Sequence, residues 1–125
     1  MKPVLDAMKD ELVEYRDENG RPLFDVEGLP LADPDVPVPV RLLGTYDNLW
    51  LSHADRSRAT APARRKLWMG LNGGMANTVF VDGWLEGLWR NVDGKVDLEL
   101  FRKLTRSEQQ GLDAEVAALE TFLAA

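Results

Sequence analysis

Four prolines, Pro30, Pro34, Pro37 and Pro39, fall within residues 27–39 (EGLPLADPDVPVP) and limit what the chain can become. Each one fixes φ and removes an amide donor, so this stretch can continue neither a helix nor a central strand. It must be a linker or an extended crossing segment. The 125-residue chain is therefore expected to divide into an N-terminal piece (1–26), a Pro-rich linker (27–39) and a main region (40–125). Its length suits a single small domain with a modest core.

The two sides of the linker carry different patterns. Val4, Leu5, Met8 and Leu12 recur at helical spacing behind Pro3, which suits a first turn, and predict a short amphipathic helix from residue 3 to about 11. LVEYRD and RPLFDV then flank Glu18-Asn19-Gly20. Asn-Gly between alternating runs predicts a hairpin whose turn positions both tolerate positive φ. Beyond the linker, strands are expected over 78–81, 84–90 and 95–101, joined by turns at Asp82-Gly83 and Asp93-Gly94. The third strand sets Val96, Leu98 and Leu100 against Lys95, Asp97 and Glu99, which implies one buried and one wet face. In the second, Leu85, Gly87 and Trp89 share a face, with Gly87 leaving room for a neighbouring ring or backbone. Thr105-Arg106-Ser107-Glu108 fits a capping box. The stripe Leu112, Val116, Leu119 and Leu123 that follows predicts a C-terminal helix packed on the meander. The fold class is α+β: a helix and hairpin, then a small antiparallel β-rich domain closed by a helix.

Charge separates one segment from the rest. Residues 1–40 hold four Lys/Arg against ten Asp/Glu, residues 41–66 six against two, and residues 67–125 five against nine, which sums to −6. Phosphate affinity comes from Lys/Arg that displace counterions, so binding to a polyanion would be confined to one face. Arg56, Arg58, Arg64, Arg65 and Lys66 are the candidate contacts. The same segment carries the single histidine, His53, together with Asp47, Asn48 and Asp55.

Other chemistry finds little support. With no cysteine and one histidine, disulfides and thiolate sites are excluded and a dedicated transition-metal site is not expected. No cofactor is implied. Ser52, Ser57 and Thr60 lie near His53 and Asp55, but residues two apart on a strand do not form a nucleophile relay, and no G-x-S-x-G elbow occurs. Gly70-Leu71-Asn72-Gly73-Gly74 reads as a flexible turn. It lacks the Lys-Ser/Thr ending of a phosphate loop. Trp50, Trp68, Trp84 and Trp89 could stack on bases, though core packing is the simpler expectation. The N-terminus has no apolar signal region and no run long enough to span a membrane. A cytoplasmic protein is expected.

Three stretches taken in order, PVPVRLLGTYDNLWLSHADRSR, NGGMANTVFVDGWLEGLWR and VDLELFRKLTRSEQQGLDAEVAALETFL, resemble the C-terminal part of the bacterial winged-helix DNA-binding family that includes crosslink-repair DNA glycosylases. Tyr46-Asp47-Asn48-Leu49 falls at the family's apolar-Asp-Asn/Pro-Leu strand, and Asp55-Arg56-Ser57-Arg58 at its Asp-Arg-x-Arg step. Asp82-Gly83 to Gly87-Leu88-Trp89-Arg90 matches its hairpin. The resemblance implies that the first helix and hairpin are the last helix and wing of a winged-helix unit truncated at its N-terminus. Its glycosylases are about three times longer and carry a Gln-apolar-Gln excision pair, whereas this chain has only the adjacent Gln109 and Gln110.

The expected function is a non-catalytic DNA-binding module. Arg56, Arg58, Arg64, Arg65 and Lys66 would contact phosphates without reading sequence. Asp47, Asn48, His53 and Asp55 would orient them or satisfy local backbone. The alternatives are a protein-interaction module, pairing with a second copy or with a separate winged-helix region, and a fragment of a glycosylase.

Overall fold

The computed structural model describes residues 2–125 and resolves two compact units, one ending at Val36 and the other spanning Pro37–Ala125. In the first, helix α1 (Lys2–Met8) is followed by strands β1 (Leu12–Arg16) and β2 (Pro22–Val26), which pair antiparallel with Leu12 opposite Val26 and Arg16 opposite Pro22. The helix is shorter than its apolar spacing suggests, because Leu12 is taken by the hairpin. The loop also differs from a two-residue Asn-Gly turn. The Asp17 amide donates to the Arg21 carbonyl and the Gly20 amide to the Asp17 carbonyl, at 3.0 and 2.9 Å. Within the loop Gly20 alone takes positive φ, at 76°. The cause is the Asp17 carboxylate, whose Oδ1 accepts from the amides of Asn19 and Arg21. That capping favours a three-residue loop with a left-handed glycine at its end.

The second unit is built on a four-stranded antiparallel sheet in the order β3-β4-β5-β6: β3 (Arg41–Leu43), β4 (Asn77–Val81), β5 (Trp84–Val92) and β6 (Lys95–Leu100). Both predicted tight turns form. Asp82 and Gly83 have φ of 51° and 76°, and Asp93 and Gly94 of 51° and 81°, the paired positive values that match the twist of the flanking strands. Strand β3 has no counterpart among the expected strands, since it lies directly after Pro37 and Pro39 and is short.

A bulge in β5 changes which side chains face which core. Val79 pairs with Gly87 but Phe80 with Leu85, so Glu86 is an extra residue on β5. A one-residue slip moves side chains to the opposite face. Leu85 consequently does not share a face with Trp89, as strict alternation would require. Leu85 joins Trp50, Ala59, Trp68 and Phe80 in one buried cluster, and Trp89 joins Val40, Val79, Val81 and Leu112 in the other. Gly87 does admit a neighbouring backbone: a Cβ there would lie 2.7 Å from the Glu99 carbonyl oxygen.

Helix α4 (Arg106–Leu123) covers the Trp89 face through Leu112, Val116 and Leu119, while Leu123 stays outside this core. Its capping box is complete, with the Thr105 amide donating to Glu108 Oε2 at 2.7 Å and the Glu108 amide to Thr105 Oγ1 at 3.3 Å. The other face is covered by residues between β3 and β4. These contain two single-turn helices, α2 (Asn48–Leu51) and α3 (Arg65–Trp68), and a 3-10 turn at Pro62–Arg64. The sheet is thus buried on both faces at β4, whereas the edge strand β6 alternates between half-buried and exposed residues along its whole length. Among the described residues no helix is long and apolar enough to cross a membrane.

Candidate nucleic-acid interface

The segment from Arg41 to Lys66 opens with a strand and then turns helical. Tyr46-Asp47-Asn48-Leu49 is not a strand: Tyr46 takes positive φ, at 62°, and Asp47 is the N-cap of α2. Its Oδ1 accepts from the Leu49 amide at 2.9 Å. Short polar side chains compete for exposed amides in this way and start helices rather than extend strands. Asn48 is the exposed first residue of that turn, and its carbonyl accepts from the Ser52 amide at 2.8 Å. Ser52 and His53 accordingly do not lie on a strand, and His53 is exposed. Asp55 closes the next turn by accepting from the Ser57 amide at 2.9 Å.

Of the five basic candidates, two are committed to the fold. Arg56 reaches back with Nε (2.8 Å) and Nη2 to the Trp50 carbonyl, and its guanidinium stands 5.9 Å from the Trp68 ring centre. Charge-assisted bonds to a carbonyl are among the stronger ones in a protein. Arg64 donates to the Leu85 carbonyl at 2.5 Å, pairs with Glu86 at 3.1 Å, and lies over Phe101 at 5.5 Å.

The other three are exposed. Arg58 and Lys66 form no ion pair among the described residues, and Arg65 makes only an Nε contact to Met69 Sδ at 3.2 Å. Arg65 and Lys66 sit side by side at the start of α3, which Trp68 pins into the core at 2% exposure. Arg56 and Arg65 also line one surface cavity of about 190 Å³ together with Asp55, Ser57, Thr60 and Trp68.

The tryptophans explain this placement. Trp50 and Trp68 stack at 4.1 Å between ring centres and Trp50 tilts against Phe80 at 5.5 Å, so two of the four indoles form the floor beneath the basic turns. Trp89 is also buried and donates from Nε1 to the Leu43 carbonyl. Trp84 alone is exposed, at 44%. Among the described residues no group of three His, Cys, Asp or Glu side chains is placed to hold a metal.

Sequence reasoning missed a charge network that locks this region. Glu86, the bulged residue, receives Arg64 on one oxygen and Arg102 at 3.2 Å on the other, and Arg102 also engages Glu108 through both terminal nitrogens at 2.9 and 2.8 Å. No pattern in the sequence pairs positions 64, 86, 102 and 108. The Arg102 side chain and the Thr105 amide, hydrogen-bonded to the Glu108 carboxylate, hold its pKa down at about 2 against an ordinary 4.5. A depressed folded-state pKa contributes stability that is present above the ordinary value and lost as pH falls through the folded one. Stability measured by urea unfolding should therefore drop between about pH 4.5 and 2, and E108Q should flatten that part of the profile. An unchanged acid limb in E108Q would remove Glu108 as its source.

A protein-family model described as DNA glycosylase AlkZ-like matches residues 1–122. The solved structure of Streptomyces sahachiroi DNA glycosylase AlkZ is similar at 27% identity with a TM-score of 0.75, over 100% of this chain and 35% of that one. The chain thus spans about a third of that glycosylase's length. A comparison with curated proteins gives no match.

Proposed function

Because the chain belongs to the AlkZ-like DNA glycosylase family, we propose that it acts as a DNA-backbone-binding module without excision chemistry of its own. The observation that carries this reading is the trio Arg58, Arg65 and Lys66: exposed cations free of acidic partners among the described residues, on turns anchored by the Trp50–Trp68 stack. Cations held in this way neutralise phosphates and release counterions without reading sequence. Arg56 and Arg64 position the surface instead of contacting DNA directly, because their donors already serve the Trp50 and Leu85 carbonyls. In the same reading α1 and the β1–β2 hairpin are the last helix and wing of a winged-helix unit, and the protein works in the cytoplasm.

The test is a titration of a short duplex by fluorescence anisotropy at several salt concentrations. Three phosphate contacts predict a slope of about −3 in log affinity against log salt. Absence of binding at low salt removes the proposal. A second reading, a protein-interaction module, is favoured by one observation: apolar side chains are exposed on both faces of the hairpin, Tyr15 and Leu23 on one and Phe24 and Val26 on the other. Exposed apolar surface of this kind finds partners. A dimer in light scattering, with no affinity for DNA, would select it.

A further inference from the structure

The first unit has no core of its own: none of residues 3–36 is fully buried. A lone two-stranded hairpin is marginally stable in water, and a third strand steadies it. The ladder shows where one would add. The Glu27 amide donates to the Glu11 carbonyl and the Asp17 amide to the Arg21 carbonyl, and hydrogen-bonded pairs alternate along an antiparallel ladder, so Val13 bonds to Asp25 and Tyr15 to Leu23. The backbone groups of Leu12, Glu14 and Arg16 on β1, and of Pro22, Phe24 and Val26 on β2, therefore point outward.

The two outer edges differ. On β2, Pro22 has no amide, the Val26 amide donates to Asp25 Oδ1 at 2.8 Å, and the Val26 carbonyl accepts from the Leu29 amide at 3.5 Å. Features of this kind blunt a strand edge. On β1, no backbone group of Leu12, Glu14 or Arg16 has an outer partner among the described residues. The Glu14 and Arg16 side chains beside that edge are 44% and 65% exposed.

Charge selects the occupant. The first unit carries four Lys/Arg against ten Asp/Glu, and Asp10 and Glu11, which lead into β1, form no ion pair among the described residues. Such a surface repels phosphate. It also disfavours a second copy, since β1 paired with β1 about a two-fold axis at Glu14 sets one Glu14 against the other. We infer that β1 accepts, as a third strand, an extended cationic segment of another protein. Its backbone bonds to Leu12, Glu14 and Arg16, its apolar side chains lie beside Val13 and Tyr15, and its lysines or arginines lie beside Glu14 and toward Asp10 and Glu11. Strand addition of this type draws affinity from the main chain and specificity from alternate side chains. The inference rests on the protein-interaction reading of the hairpin, names its partner class, and is compatible with DNA binding by the second unit.

The probe is a blocked peptide, Lys-Val-Lys-Val-Lys, matching the five residues of β1, added to the full chain while amide hydrogen exchange is followed residue by residue. Exchange at Leu12, Glu14 and Arg16 should slow by about tenfold or more, with Phe24 unchanged. Glu-Val-Glu-Val-Glu should protect none of them. N-methylation of the lysine amides or of the valine amides should abolish the effect in one case and spare it in the other, because only alternate amides face β1. E14P removes an outward amide but no ladder bond, so it should lose the peptide while Val13 and Tyr15 stay protected. R58A/R65A/K66A should bind the peptide as wild type does. No protection by the lysine peptide, equal protection by the glutamate peptide, or binding by both methylated forms overturns the inference. A doubled mass in light scattering, with these amides protected before peptide is added, makes a second copy the occupant: the protein-interaction reading then stands and the cationic strand falls. Protection of the same amides by duplex DNA in place of the peptide overturns both.

Discussion

Replacing Trp50 by alanine is expected to cost about 3–5 kcal/mol, the range for truncating a large buried aromatic, measured by urea denaturation. Trp50 has 0% exposure and stacks on Trp68, and its Nε1 donates to Thr78 Oγ1 at 3.1 Å. Thr78 is itself 0% exposed, so the substitution opens a cavity and leaves a buried hydroxyl short of a partner. W50F keeps most of the ring contact and loses the hydrogen bond, for which about 1–3 kcal/mol is expected. The effect reaches the interface as well. The Trp50 carbonyl anchors Arg56, and Arg56 holds the turn that leads to Arg58. A W50A chain losing less than about 1 kcal/mol would show that the stack is not the support of the basic turns.

The triple substitution R58A/R65A/K66A should leave the fold intact and remove DNA binding. These side chains are exposed, so unfolding free energy should change by about 0.5 kcal/mol or less per site. The salt slope should fall by about three units, one per phosphate contact. At 50 mM salt that is a loss of roughly 3,000-fold, taking a slope of about 0.9 per phosphate and extrapolating to molar salt. R64A should do the reverse, lowering stability through loss of its bonds to the Leu85 carbonyl and Glu86. A triple variant that binds as tightly as wild type would place the phosphate contacts elsewhere.

Where chain-local chemistry decides the conformation, the residues announced it. Asp82-Gly83 and Asp93-Gly94 form tight turns because both positions must take positive φ, and Thr105 with Glu108 caps α4 because the amides they satisfy are three residues apart. Asp47 shows the limit of that logic. The family resemblance puts it in a strand, yet its carboxylate finds the Leu49 amide and starts a helical turn. Asp17 likewise lengthens a loop that Asn19-Gly20 alone would close in two residues.

The basic segment is the clearest case. Its excess of positive charge, its position after the prolines and the family it resembles were all legible in the residue order. Which arginines are free was not, since the carbonyls of Trp50 and Leu85 and the carboxylate of Glu86 belong to other turns and strands. Sequence alone thus determined the α+β class, the tight turns of the meander, the capped helix and one cationic stretch in an acidic chain, because each rests on local backbone preference or composition. Tertiary structure alone decided the bulge that turns Leu85 and Trp89 to opposite cores, the stacked tryptophans, and the division of five basic side chains into two that hold the fold and three that face solvent. Those outcomes depend on partners distant along the chain, and local pattern carries no record of them.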